Sequence, residues 1–368
     1  MITFSDPSAS YKAHKIEIDE AINRVLNSGW YVLGKEVNAF EEEFASLHGE
    51  NLHAVGVANG TDAIALCLRS LGLGLSDEVI TVSHTAVATI AGIEQAGCSP
   101  VFTDIDPVSR CIDPKSIKEK IGPKTRAIMP VHIYGQPAEM RKILEIGKTH
   151  QLEVIEDCSQ AHGAEIDDQK VGTFANLSAF SCYPTKNLGG TGDGGVILCS
   201  SKDFADKIKS LRQYGWNEHR ESTISGFNSR LDEMQAAILR VKLKHLSEAN
   251  RKRREIADRY DEAFINLPVT LPHRPQNQLH AMHLYVIECD HRDELLKHLR
   301  SNQVGASLHY PLAVHQHVAY SERIRGGDYL PVTEKFYQKN LTLPMFPELS
   351  DEAVDKIISS VRTWFSSQ

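Results

Sequence analysis

Ser181-Cys182-Tyr183-Pro184-Thr185-Lys186-Asn187-Leu188-Gly189-Gly190-Thr191-Gly192-Asp193-Gly194-Gly195 joins two short β-rich runs, Leu177–Ser181 and Val196–Cys199. The connection is too short to hold a full helix, so the two runs are expected to pair through a tight or antiparallel turn. A single lysine, Lys186, follows the first strand. Strand ends in α/β sheets are where sites collect, and glycines let the backbone pass close to a bound group. A lysine in an apolar or cationic pocket loses its proton and becomes a nucleophilic amine. An ordinary surface lysine in a flexible loop fits this stretch alone equally well. Gly190-x-Gly192-x-x-Gly195 also matches a dinucleotide fingerprint in form. That motif must open a helix, and here a strand-like run follows it, so the match is rejected.

Upstream, strand-like runs at His53–Val57, Glu78–Val82, Pro100–Thr103, Ala127–His132 and Val154–Glu156 alternate with amphipathic helical stretches. This alternation predicts a mainly parallel sheet covered by helices on both faces. The N-terminal segment reads as a helix with Ile16, Ala21, Ile22, Val25 and Leu26 on its apolar stripe, stopped at Ser28-Gly29, and a second helix is expected near Val37–Leu47. From about Met234 to Phe264 the chain reads as one long charged helix. Its basic run, Arg251 to Arg254, reads as a solvated face. This helix is expected to link a large domain, 1–245, to a smaller α+β domain, 246–368. The smaller domain is predicted to contain a strand at Tyr285–Glu288 and helices at Asp293–Arg300 and Asp351–Trp364.

The 368 residues carry a formal charge of −8, which argues against general binding to nucleic acid or membrane surfaces. No apolar run is long enough to span a bilayer. Seven cysteines at irregular spacing, with no Cys-x-x-Cys pair, read as free thiols in a reducing compartment. With no signal peptide evident at the N-terminus, a cytoplasmic location is expected.

Two further stretches supply chemistry that Lys186 alone lacks. Asp157 ends the apolar run Val154-Ile-Glu-Asp157, which places a carboxylate at the sheet's carboxyl edge. Such a carboxylate can keep a pyridine nitrogen protonated or simply cap a turn. Asn59-Gly60-Thr61-Asp62 leaves the His53–Val57 strand and opens a helix. Its free N–H groups, with a glycine and a hydroxyl, suit a phosphate, although a plain helix cap would look the same. Together the three stretches provide an amine, a ring-nitrogen partner and a phosphate cradle, the parts of a pyridoxal-phosphate (PLP) site.

The chain resembles the sugar aminotransferases of the DegT/DnrJ/StrS family, which have the fold-type-I aminotransferase fold. The resemblance runs through Ser28-Gly-Trp-Tyr-Val-Leu-Gly34, Phe40-Glu-x-x-Phe44, Asn59-Gly-Thr-Asp-Ala63, Pro130-Val-His-Ile-Tyr-Gly-Gln136 and Glu156-Asp-Cys-Ser-Gln-Ala161. It continues through Gly226-Phe-Asn-Ser-Arg230, Gln235-Ala-Ala237, His309-Tyr-Pro311 and Leu343-Pro-Met-Phe-Pro347. The resemblance implies that Lys186 holds PLP as a Schiff base and that Asp157 pairs with the ring nitrogen. It places Gln160 on the ring-hydroxyl side, and Gly60, Thr61 and Ser181 at the phosphate. Asn228 would reach the phosphate from the partner subunit of a homodimer. His84 would contribute near the ring. Many members carry a large aromatic two residues after His84, where this chain has Ala86. Ser76-Asp-Glu-Val79 also departs from the usual glycine-aspartate turn.

The His84–Thr89 segment, Tyr183 and the His309-Tyr310 pair resemble the subgroup acting on dTDP-3-keto-6-deoxyhexoses. Tyr183, His309 and Tyr310 would then line a sugar pocket, and L-glutamate would be the amino donor. The product would be a dTDP-3-amino-3,6-dideoxyhexose of galacto or gluco configuration. The competing activities are 4-keto-sugar amination, dehydration, and non-catalytic binding. Dehydratase relatives carry histidine at the position of Lys186. A nucleotide-sugar dehydrogenase would need the rejected fingerprint. No metal is expected, since His309, His315 and His317 lack a second set of ligands at suitable spacing.

Overall fold

A computed structural model describes residues 1–367. The strands β1 (His53–Val57), β2 (Glu78–Val82), β3 (Ser99–Thr103), β4 (Thr125–Ile128), β5 (Glu153–Asp157), β6 (Leu177–Ser181) and β7 (Gly195–Cys199) form one sheet in the order β1-β7-β6-β5-β4-β2-β3. Neighbours from β6 through β5, β4 and β2 to β3 are parallel. β7 runs antiparallel to both β6 and β1. β1 through β6 therefore point the same way, and their carboxyl ends lie along one edge. Nearly every strand residue is buried, as a sheet covered on both faces requires. The Lys186 stretch is the hairpin that turns β6 into β7. The expected antiparallel pairing is seen from Leu177–Cys199 to Ser181–Gly195.

β4 is shorter than expected, ending at Ile128 rather than His132. Pro130 cannot donate a ladder bond. Val131 still makes a parallel bridge to Asp157, and the Asp157 N–H reaches the Pro130 carbonyl at 2.9 Å.

Helices α1 (Pro7–Ala13), α2 (Lys15–Ser28) and α3 (Lys35–His48) precede the sheet. Gly29 ends α2 in the left-handed region, φ 66°, a position that suits glycine at a helix end. The start of α3 is capped from a distance. The buried Glu233 carboxylate accepts N–H groups from Gly34 (2.7 Å), Glu36 (2.9 Å) and Val37 (2.9 Å). Between and after the strands come α4 (Gly60–Ser70), α5 (Val87–Gln95), α6 (Pro114–Lys120), α7 (Met140–His150) and α8 (Lys202–Leu211).

The long helix α9 spans Glu233–Phe264, about 48 Å at the usual rise per residue. Its first half packs on α2 and α3. Its second half joins a separate apolar cluster through Ile256, Ala257, Tyr260 and Phe264. That cluster also holds the antiparallel pair β8 (Tyr285–Glu288) and β9 (Asn340–Leu343), with α10 (Arg292–Ser301) and α12 (Asp351–Ser366). α11 (Pro331–Lys339) leads into β9.

The solvated-face reading of Arg251 to Arg254 holds for Arg251 and Lys252 and fails for Arg253. Arg253 is buried and donates to the Met345 carbonyl at 3.0 Å, with longer contacts to the carbonyls of Met282 and His283. A buried guanidinium needs such acceptors, and they come from segments far away in sequence.

Candidate active site

Residues that follow the carboxyl ends of β1, β2, β4, β5 and β6 enclose a cavity of about 240 Å³. Such an edge is where ligands bind in sheets of this type. Lys186 and Asp157 both line it, with Asn59, Gly60, Thr61, Thr89, Gln160, Ser181 and Tyr183. Two larger hollows, of about 720 and 780 Å³, lie elsewhere on the surface and include neither Lys186 nor Asp157.

Asp157 is buried at the tip of β5. Thr89 donates its hydroxyl to Oδ2 at 2.8 Å, and the Ser159 N–H reaches Oδ1 at 3.1 Å. Thr85 and Thr89 share a hydrogen bond at 2.7 Å. The sequence reading missed Thr85 and Thr89. The available signal was their place one turn apart at the start of a helix that follows a strand end.

Glu156, one residue earlier, faces the other side of the strand, as alternation requires. It accepts N–H groups from Gly172 (2.8 Å), Phe174 and Ala175 (both 2.9 Å), and contacts His132 Nε2 at 3.1 Å. With those bonds it fixes the loop before β6.

Lys186 sits in a turn in which its N–H donates to the Tyr183 carbonyl at 2.8 Å. Burial pushes its amine down to about 8, against the opposing pull of Asp157. The neutral, nucleophilic form is thereby accessible near physiological pH.

At the start of α4 the Asn59 side chain takes the Asp62 N–H at 2.8 Å. The N–H groups of Gly60 and Thr61 belong to the first turn and have no intrahelical partner. A Cβ on Gly60 would stand 2.7 Å from Ser181 Cβ, so the close approach of the two segments depends on that glycine. The cavity thus offers a helix start with free donors at one end and an acid and an amine further in, which fits a phosphorylated pyridine aldehyde such as PLP. Gly60→Ala is expected to weaken cofactor retention by roughly tenfold, an overpacking cost of about 1–3 kcal/mol. Equilibrium dialysis of the cofactor checks this. Unchanged retention would show that the tight approach is dispensable.

The other expected residues are placed less uniformly. Gln160 lines the cavity; its Oε1 accepts the Tyr134 N–H at 2.6 Å and its Nε2 donates to the Tyr310 hydroxyl at 2.9 Å. Tyr183 is half exposed. His309 bonds Thr342 Oγ1 through Nδ1 at 3.0 Å and packs near Phe4 and Tyr310. Neither His309 nor Tyr310 lines the cavity itself. Asn228 is exposed and also lies outside it. His84 does not face the cavity. It is fully buried against the rings of Tyr134, Phe336 and Tyr337, with Nδ1 3.1 Å from the Tyr337 hydroxyl. Burial pushes it down to about 3, the state of a packed, neutral imidazole. Ala86 lines the cavity. His315 Nδ1 lies 2.7 Å from Ser83 Oγ.

The DegT/DnrJ/EryC1/StrS aminotransferase family matches residues 12–362. The dTDP-3-amino-3,6-dideoxy-alpha-D-galactopyranose transaminase of Aneurinibacillus thermoaerophilus is 41% identical over 364 residues, covering 99% of each chain. The dTDP-3-amino-3,4,6-trideoxy-alpha-D-glucose transaminase of Streptomyces venezuelae is 40% identical over 364 residues, 99% of this chain and 96% of that one. Among solved structures, S. venezuelae DesV in complex with a ketimine intermediate superposes with a TM-score of 0.96 at 39% identity, covering 99% of this chain and 98% of DesV. With this fold and a match over nearly its whole length, the chain belongs to the DegT/DnrJ/EryC1/StrS family of PLP-dependent aminotransferases.

Proposed function

We propose that this enzyme moves an amino group from L-glutamate to a dTDP-linked 3-keto-6-deoxyhexose, giving a dTDP-3-amino-3,6-dideoxyhexose of galacto or gluco configuration. The observation that carries the reading is the single cavity holding both Lys186 and Asp157, in a chain about 40% identical, end to end, to two transaminases named for dTDP-3-amino sugars.

Bound PLP supplies an electron-withdrawing ring that accepts negative charge from a substrate carbon. Lys186 would hold the cofactor covalently, and its free amine would move a proton at the substrate carbon. Asp157, held by the Thr89 hydroxyl and the Ser159 N–H, would pair with the ring nitrogen. Gly60, Thr61 and Ser181 would hold the phosphate, and Gln160 would serve the ring-hydroxyl side. Tyr183, with His309 and Tyr310, would face the sugar.

The reading includes a homodimer in which Asn228 of one protomer reaches the phosphate of the other. Asn228 is exposed and outside its own cavity. Trp30, Tyr31 and Val32 also form an exposed apolar run, of the kind that marks contact surfaces. A large unit over 1–245, a smaller one over 246–368 and a cytoplasmic location complete the proposal. All seven cysteines are free and buried, which accords with a reducing compartment. No described helix is long and apolar enough to cross a membrane.

Incubation with glutamate and a panel of dTDP- and UDP-linked 3-keto and 4-keto sugars, followed by NMR of the products, tests the reading. Amination at C3 of a dTDP sugar is expected. Amination only at C4, only of UDP sugars, or loss of a hydroxyl without gain of nitrogen would overturn the substrate assignment.

A further inference from the structure

Lys186 has four rotatable side-chain bonds, so its amine is only as well placed as the backbone that carries it. That backbone belongs to a glycine-rich hairpin, and three side chains of α9 grip it. Gln235 Oε1 accepts the Thr191 N–H at 2.8 Å, and Lys242 Nζ donates to the Gly189 carbonyl at 2.7 Å. Asn250 Oδ1 accepts from Asn187 Nδ2 at 2.8 Å. Positions 235, 242 and 250 are separated by seven and eight residues, two turns each, so they share one face of the helix. A Cβ on Gly190 would lie 2.6 Å from Gln235 Oε1, which is how closely the hairpin rests on the helix.

The third grip falls on the residue next to Lys186. The Asn187 amide is saturated. Its Nδ2 donates to Asn250 Oδ1 and to the Ala281 carbonyl, both at 2.8 Å, and its Oδ1 faces His283 Nδ1 at 3.1 Å. An amide oxygen only accepts, so His283 carries its proton on Nδ1. Burial and the charge of Lys186 keep that ring neutral. Asn250 is itself buried and donates to the His162 carbonyl at 2.8 Å.

The 281–283 segment is tied onward. The Ala281 N–H reaches the Gly135 carbonyl at 3.0 Å, and the His283 N–H reaches the Tyr134 carbonyl at 2.9 Å. Tyr134 in turn donates its N–H to Gln160. One hydrogen-bonded path therefore joins the neighbour of Lys186 to Gln160, which also lines the cavity.

We infer that Asn187 is a positioning residue: its three-way amide, anchored on Asn250, sets where the Lys186 amine stands relative to Asp157 and Gln160. This inference rests on the PLP-transaminase reading of the site. An asparagine suits the task because it presents two donors and one acceptor in a plane, matched here to two acceptors and one donor.

The test compares Asn187→Ala and Asn250→Ala. Both alanine variants are expected to lower kcat by about 100-fold, the effect of a misplaced reacting group, with KM for glutamate nearly unchanged. In the cofactor-free protein they should move the pH midpoint at which an amine-selective reagent labels Lys186, read by mass spectrometry. Alanine variants that melt earlier yet keep kcat and the labelling midpoint would reduce the network to a structural tie and overturn the inference. Lys186→Ala run beside them separates the two failures, since an active Lys186→Ala enzyme would refute the reaction itself and not only the positioning.

Discussion

Lys186→Ala is expected to abolish the visible absorbance of the bound cofactor and to lower transamination by about 10⁴-fold, the upper range for a lost acid–base group. It is the only side-chain amine lining the cavity among the described residues, so no second amine is at hand to take over the proton transfer. The cofactor-free wild type supplies an independent readout. Burial pushes the Lys186 amine down to about 8, whereas an exposed lysine titrates near ~10.4. Below about 8 the amine is protonated and has no free electron pair; above it the amine is neutral and reactive. Labelling by an aldehyde with reductive trapping should therefore rise with pH through about 8 at Lys186 and at distinctly higher pH at surface lysines. Peptide mass spectrometry across a pH series measures both. Near-normal turnover in Lys186→Ala, or a labelling midpoint equal to that of surface lysines, would remove the lysine from the centre of the mechanism.

Asp157→Asn should be the second most damaging change. Asparagine preserves shape and leaves an oxygen for the Thr89 hydroxyl or the Ser159 N–H, both of which contact Asp157. What disappears is the negative charge. Loss of a preorganised electrostatic partner costs about 3–4 kcal/mol of barrier, or roughly 10²–10³-fold in kcat. The melting temperature should move little by comparison, because the substitution deletes no buried volume. Stopped-flow measurement of the glutamate half-reaction separates this effect from sugar binding. A half-reaction within a factor of about two of wild type, less than 0.5 kcal/mol, would mean that the carboxylate is no more than a cap on the turn after β5.

The sheet was legible because its strands are short, apolar and bounded by turns. β1, β2 and β6 begin and end where the pattern places them. Lys186, Asp157 and the Gly60–Thr61 turn were legible because each lies at or shortly after the carboxyl end of such a strand, and strand ends in this architecture share one edge. Side chains whose role depends on a distant partner were not legible. Arg253 reads as one more solvated charge until the carbonyls of Met345 and its neighbours surround it. His84 lies one residue from a cavity wall, yet aromatic rings from Tyr134, Phe336 and Tyr337 hold it behind that wall. Thr89 looks like any helix residue until its hydroxyl meets Asp157. The Asn187 amide likewise gains meaning only when residues 250, 281 and 283 arrive around it.

The position of β7 has a consequence for how the enzyme is made. β1, the first strand of the sheet, pairs with β7, the last, from His53–Cys199 to Val57–Gly195. β7 is also the strand that separates β1 from β6. The Gly60 turn and Ser181 therefore meet only after β7 has slid between their strands. A chain still emerging from the ribosome and ending short of Cys199 has all of β1 to β6 but cannot bring those two segments together. Cofactor capture must then wait for a long-range closure, which is the slow kind of contact to form. In the interval the inner edge of β6 is open to whatever strand reaches it first.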